Sequence, residues 1–184
     1  GDGILDLSGS INIYNSNITI DGLTIDNTTS EDAINIVNSK FSINNISVFN
    51  TPSDAIDIDF SNGKITNSTI KSSKGDALDF SGSNIELNNI FISNIKDKGL
   101  SAGENSKVNG SSIFFNNVGV GIASKDGSNT KIKNSSIKNF ILAGVMTYVK
   151  KDFYTTPTLR LINTSISSNT SNDDFLRQKK TYLY

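Results

Sequence analysis

The chain has no cysteine, no histidine and no tryptophan, and only two prolines among 184 residues. Each absence removes a class of chemistry. Without cysteine there is neither a disulfide framework nor a thiolate metal site. Without histidine the usual general base and the commonest zinc ligand are gone, and with them every Ser-His or Cys-His nucleophile pair. No apolar run approaches the length of a membrane span. Neither charge sign dominates, with 17 basic against 18 acidic residues, whereas a nucleic-acid partner calls for a clustered basic face. The chain opens at Gly1 with no visible leader. The expectation is one domain over residues 1–184, excised from a longer parent chain with other domains.

What is present is a repeat. Ala33, Ala55, Ala77, Gly99 and Gly121 lie 22 residues apart, as do Ile34, Ile56, Leu78, Leu100 and Ile122. Around each lies a short alternating run, such as "DAINIV", "DAIDIDF" and "DALDFSG", and a second run follows in every unit, such as "GKITNSTIK" and "IELNNIFIS". Alternation at period two with β-branched residues and turn residues between runs means short strands. Short strands at a fixed period with no helical stripe predict an all-β chain. The architecture expected is a right-handed parallel β-helix, a solenoid of about seven rungs. A β-sandwich would instead show variable turn spacing and hairpin signals such as Asn-Gly between antiparallel strands. Asn62-Gly63 and Asn109-Gly110 are present but fall at different points of the repeat, and the equal intervals favour the solenoid. Rungs stacked at ~4.8 Å give a rod roughly 30 Å long.

Three further expectations follow. Residues 171–184, opening on "SNDDFLRQKK", suggest a short C-terminal capping helix, acidic first and basic last. Asn45, Asn67, Asn89, Asn134 and Asn163 recur before the second run, as an asparagine ladder would require. Asn17, Asn45, Asn67, Asn134 and Asn163 each open an N-x-S/T triplet, read as turn chemistry before glycosylation.

Parity assigns faces. With Ile56, Ile58 and Phe60 inward, Asp57 and Asp59 face out, and the outward columns read Asn35/Asp57/Asp79/Ser101/Ala123 and Val37/Asp59/Ser81/Gly103/Lys125. Asp57 and Asp79 become stacked neighbours, so one should titrate high or a cation should sit between them. "DIDFSNG" does not fit a calcium loop, because Ser61 and Asn62 replace the third ligand and the glycine. A cross-rung calcium site from Asp57, Asp59 and Asp79 stays open, beside the reading that these acids only decorate a solvated strand face.

Four consecutive motifs, "NTPSDAID", "KGDALD", "KGLSAG" and "GIASK", resemble the core of the polygalacturonase-type glycoside hydrolases, within the pectin-lyase-like β-helix superfamily. That family reads N-T-D-G-I-D, G-D-D-C-I, G-H-G-I-S and R-I-K on successive turns. By this resemblance Asp54 and Asp76 match two of its aspartates. Its general acid falls on Gly75, its histidine on Lys98 and its arginine on Ala123, while Lys125 keeps the lysine. Loss of the acid removes half of an inverting mechanism.

Other superfamily members are lyases and uronate epimerases with a basic residue and calcium, for which Lys98, Lys125, Glu104 and Asp126 could supply parts. Residues 142–158, "LAGVMTYVKKDFYTTPT", form the only sizeable insertion. Its Tyr148, Phe153 and Tyr154 beside Lys150 and Lys151 either stack on sugar or cover the end of the core. The candidate assignment is Asp54, Asp76, Asp79 and Lys125 as catalytic, Lys98, Glu104, Tyr148 and Tyr154 as substrate-binding, and Asp57, Asp59 and Asp79 as metal-binding. The resemblance implies a bacterial extracellular or cell-surface module that binds carbohydrate or serves a structural role, most simply without catalysis. The alternative is a calcium-assisted polysaccharide lyase or uronate epimerase. An ice-binding face is excluded, since Thr19, Thr66, Thr69 and Thr156 form no column.

Overall fold

In the computed structural model, residues 7–168 are described in full, together with the backbones of strands Asp173–Arg177 and Tyr182–Leu183. Among the described residues every regular element is a strand and every pairing is parallel. The strands stack as a β-solenoid of about six turns at a spacing near 22 residues, close to the seven expected.

Each rung has three faces. The first is built from Gly9–Tyr14, Asp32–Val37, Ile56–Asp59, Leu78–Ser81 and the ends of the longer strands Asn84–Gly103, Lys107–Lys125 and Ser136–Tyr148. The second stacks residues 17–21, 40–44, 62–66, 84–88 and 107–111, and the third stacks residues 23–26, 46–49, 68–71, 90–93 and 113–116.

The corners explain the asparagine content. Thirteen of the eighteen non-glycine residues with positive φ are asparagines, the residue that best tolerates the left-handed region after glycine. One corner column runs Gly22, Asn45, Asn67, Asn89, Ser112, Asn134 and Asn163. Another runs Asn27, Asn50, Ser72, Asn94, Asn117 and Asn139. The recurring asparagines therefore do turn work, but their amides are exposed. Asn89 Nδ2 donates to Asn67 Oδ1 at 2.9 Å and Asn163 Nδ2 to Asn134 Oδ1 at 2.9 Å, all in solvent.

Buried backbone donors are satisfied by serine instead. The N–H groups of Ser16, Ser39, Ser61, Ser83 and Ser106 donate in turn to the Oγ of Ser39, Ser61, Ser83, Ser106 and Ser128, at 2.9–3.2 Å. Each of Ser39, Ser61, Ser83 and Ser106 then donates its own hydroxyl to a nearby carbonyl.

The interior holds aliphatic columns, among them Ile34/Ile56/Leu78/Leu100/Ile122 and Ile36/Ile58/Phe80, all fully buried. Two expectations are corrected. The capping helix is replaced by strands at Asp173–Arg177 and Tyr182–Leu183, because Asp173–Arg177 adds in parallel to residues 143–147 and so continues the first face. Residues 171–172, 178–181 and 184 lie outside the described residues. Phe60 is not inward: the strand ends at Asp59, Phe60 turns with φ 49°, and its side chain is 57% exposed.

Candidate functional site: an acidic row on the first face

The register places the outward columns as parity expects. Asn35, Asp57, Asp79, Ser101 and Ala123 are partners on consecutive rungs, followed by Met146. Beside them run Val37, Asp59, Ser81 and Gly103. This face is not a solvated decoration. Asn35 is 6% exposed, Ser101 is fully buried, and Asp57, Asp59 and Asp79 are half-buried.

A second line of carboxylates flanks the row at the turn before each strand. Asp32 is buried. Asp54 Oδ1 accepts the Asp76 N–H at 2.6 Å, and Asp76 Oδ1 accepts the Lys98 N–H at 2.8 Å. The Lys98 ammonium closes the line, 3.3 Å from Asp76 Oδ1 and 2.6 Å from Asp97 Oδ2. A side chain at Gly75, where the resemblance puts a general acid, would collide with this line. A Cβ there would lie 2.1 Å from Asp54 Oδ1.

Burial dominates the electrostatics. It raises the pKa of Asp57 to about 8, with Asp59 and Asp79 adding to the effect. It raises Asp76 to about 7 against the pull of Lys98, and Asp54 to about 6 against the hydrogen bond from Asp76. Asp32 and Asp59 are raised for the same reason. The expectation that one member of the Asp57/Asp79 pair titrates high thus falls on Asp57, with desolvation ahead of the neighbouring charges. Burial opposes the Lys98 ammonium, but Asp76 and Asp97 outweigh it and raise its pKa.

Other candidates are placed as follows. Lys125 Nζ stands 3.9 Å from Asp79 Oδ1, and its stem lies against Gly103. Tyr148 pairs with Lys125 in register, and burial raises its phenol against the pull of Lys98. Glu104 pairs with Lys151. Asp126 Oδ1 accepts the N–H groups of Lys150 and Lys151 at 2.6 and 2.9 Å, which clamps the loop. That loop is shorter than expected, because residues 142–148 belong to the strand Ser136–Tyr148. Of the aromatics in residues 142–158, Phe153 is 79% exposed, while Tyr148 and Tyr154 are half-buried, and Tyr154 meets Phe153 in a tilted contact at 4.6 Å between centroids. Among the described residues no three carboxylates converge to hold a metal ion.

The row also has a feature that residue type alone does not show. Four buried side-chain polar atoms of the described residues lack a hydrogen-bond partner, and three of them, Asn35 Oδ1, Asp79 Oδ1 and Ser101 Oγ, lie in this one column. Asp32, Asn35 and Ser101 escaped the candidate set, although Asp32 sits one period before Asp54 and Ser101 one period after Asp79.

No family model and no curated protein sequence matches the chain. Among solved structures it is similar to the catalytic domain of GH87 alpha-1,3-glucanase in complex with nigerose, at 13% identity over 91% of this chain and 49% of that one, with a TM-score of 0.42. A variant of that domain in complex with tetrasaccharides gives 11% identity over 94% and 59%, with a TM-score of 0.30. The chain spans about half the length of the first of these.

Proposed function

We propose that the chain is a carbohydrate-binding β-solenoid module whose acidic row takes an extended chain of uncharged sugars without cleaving it. The observation that carries this reading is the column Asn35/Asp57/Asp79/Ser101, with three buried polar atoms that make no hydrogen bond, of which Asp79 Oδ1 has the charge of Lys125 Nζ nearby at 3.9 Å. A buried polar group left unpaired costs about 1–3 kcal/mol, and a ligand rich in hydroxyls removes that cost. A protonated carboxyl both donates and accepts, as a sugar hydroxyl does. Asp57 and Asp76, with pKa values of about 8 and 7, hold protons near neutrality.

The row disfavours a polymer of uronates, because among the described residues it offers no free cation: Lys98 is already held by Asp76 and Asp97, and Lys125 stands beside Asp79. It also disfavours turnover. Glycoside hydrolysis needs two carboxyls placed on either side of the scissile bond, whereas Asp57 and Asp79 stand side by side on one floor and Gly75 leaves the acid position filled by Asp54. A lyase or epimerase needs a lysine that releases its proton, and Lys98 holds its proton between two carboxylates. The natural setting for such a module is outside the cell or at a bacterial cell surface.

Affinity electrophoresis tests the reading. Native gels containing neutral glucan, mannan or xylan should retard the protein, and gels with polygalacturonate or alginate should not. Retardation should disappear in Asp57→Ala/Asp79→Ala, with no reducing ends released from any polymer. Unchanged migration in every neutral gel, or retardation by the uronate polymers alone, would refute it.

A further inference from the structure

Phe60 breaks a structural rule in full view of solvent. The corner between the first and second faces carries Asn15, Asn38, Phe60 and Gly82 on consecutive rungs, each with a φ between 46° and 62°. Asparagine and glycine suit that conformation, and a bulky aromatic does not. Strained residues of this kind persist where the surroundings or a function hold them. The hydrophobic core does not account for Phe60, whose side chain is 57% exposed.

The ring is nevertheless positioned. A Cβ on Gly82 would lie 2.5 Å from Phe60 Cδ1, so the glycine of the next rung makes room for it. Phe60 also lines a corner recess of about 390 Å³ together with Asn15, Asn38, Lys40 and Asn62. Asn38 Nδ2 donates to Asn15 Oδ1 at 2.6 Å, which fixes the two amides side by side. None of the acidic residues of the row lines this recess.

An exposed aromatic face next to fixed amides and one ammonium is matched by a molecule with one apolar face and a rim of hydroxyls. A hexose ring has that shape: its C–H groups pack on the aromatic while its hydroxyls bond the amides. We infer that the Phe60 recess is a second saccharide-binding site, separate from the acidic row, in which the aromatic ring stacks against one neutral sugar residue. Two sites on adjoining faces let a single polymer be held twice, which raises avidity.

The test uses calorimetric titration of the 184-residue chain with a panel of neutral gluco-, manno- and galacto-hexaoses. The variants are Phe60→Asn, Phe60→Tyr and Asp57→Ala/Asp79→Ala. In the double aspartate background, which disables the row, hexaose binding should persist and should then fall at least tenfold when Phe60→Asn is added, while Phe60→Tyr retains it. Phe60→Asn should also melt no lower than the parent, since asparagine fits the left-handed corner and extends the Asn15–Asn38 pair.

Binding that is absent from the double aspartate variant, or unaffected by Phe60→Asn, would overturn the recess. So would a clear fall in melting temperature for Phe60→Asn, which would make the ring a structural plug. Binding that ignores the aspartates and depends wholly on Phe60 would overturn the acidic row instead and leave the recess standing. No binding of any hexaose by the parent chain would remove both sites.

Discussion

At the scale of single residues, the acidic row is a proton store. Asp54, Asp57 and Asp76 have pKa values raised by burial to about 6, 8 and 7. A carboxyl whose pKa is higher folded than unfolded binds its proton more tightly in the native state. Its contribution to stability is therefore fully present below the unfolded value near 4 and is lost as pH rises through the folded value. Stability should decline from about pH 4 to about pH 8, the reverse of a chain whose acids are held by ion pairs. Asp57→Asn supplies the neutral form permanently and keeps an oxygen for Asn35 Nδ2, which now donates to Asp57 Oδ2 at 3.3 Å. Urea unfolding at pH 8 should show the variant more stable by about 1–3 kcal/mol, a discounted share of the ~1.4 kcal/mol per pKa unit, with little difference at pH 5. A variant less stable at both pH values would mean that the ionised form is the one the fold favours.

At the scale of the element, the serine line settles how a rung closes. Ser83 receives the Ser61 N–H at 3.0 Å and donates to Ser81 O at 3.0 Å, and its residue is 3% exposed. Ser83→Ala leaves a buried donor without a partner, which costs about 1–3 kcal/mol. Thermal melting should fall accordingly, whereas Asn89→Gly, at an exposed left-handed corner, should change little. Equal losses for the two would show that the exposed amides carry as much as the buried hydroxyls. The sequence made the strands and columns readable, because a period of 22 with strict alternation leaves only one inward set. It pointed to stacked asparagines, and Asn67 with Asn89 and Asn134 with Asn163 do bond amide to amide, but in solvent and not to the buried backbone donors. Asparagine is conspicuous in the repeat, but its role there is the φ of the corner, whereas the serines that take the buried donors recur just as regularly, Ser16, Ser39, Ser61, Ser83, Ser106 and Ser128 each directly following a corner residue. Phe60 misled for a related reason. Alternation continued one residue too far puts it inside, and only Asn38 and Gly82, one period away on either side, mark the position as a turn. The half-burial of Asp57 and Asp79 was not legible, since parity gives direction and not depth.

At the scale of the whole molecule, a solenoid is a one-dimensional stack in which each rung contacts only its neighbours, so stability is close to a sum of local terms. Those terms are uneven here. The middle rungs bury Ile65, Ile70, Ile85, Ile90 and Ile92 completely. Ile18, Ile20, Leu23 and Ile25 in the strand Asn17–Asp26, and Leu161 and Ile166 toward the other end, are only partly buried. Each aliphatic residue completely buried contributes about 1.5–3 kcal/mol over an exposed one, so several half-buried positions in one rung weaken it by a comparable sum. Opening should begin at the two ends of the stack and reach the middle last. Native-state hydrogen exchange of the 184-residue chain should show the backbone amides of residues 65, 87 and 90 exchanging only with global unfolding. Those of residues 18, 20 and 23, and of 161 and 166, should exchange through openings of lower free energy. Uniform protection along the chain would instead make the solenoid one cooperative unit. In the graded case the acidic row, which spans residues 35 to 101, links the second turn, which borders the softer first one through the pairing of Asn12 with Asn35, to the rigid centre. A ligand lying along it would join the two, so protection of residues 32–37 should rise on binding a neutral polysaccharide more than protection of the middle rungs does.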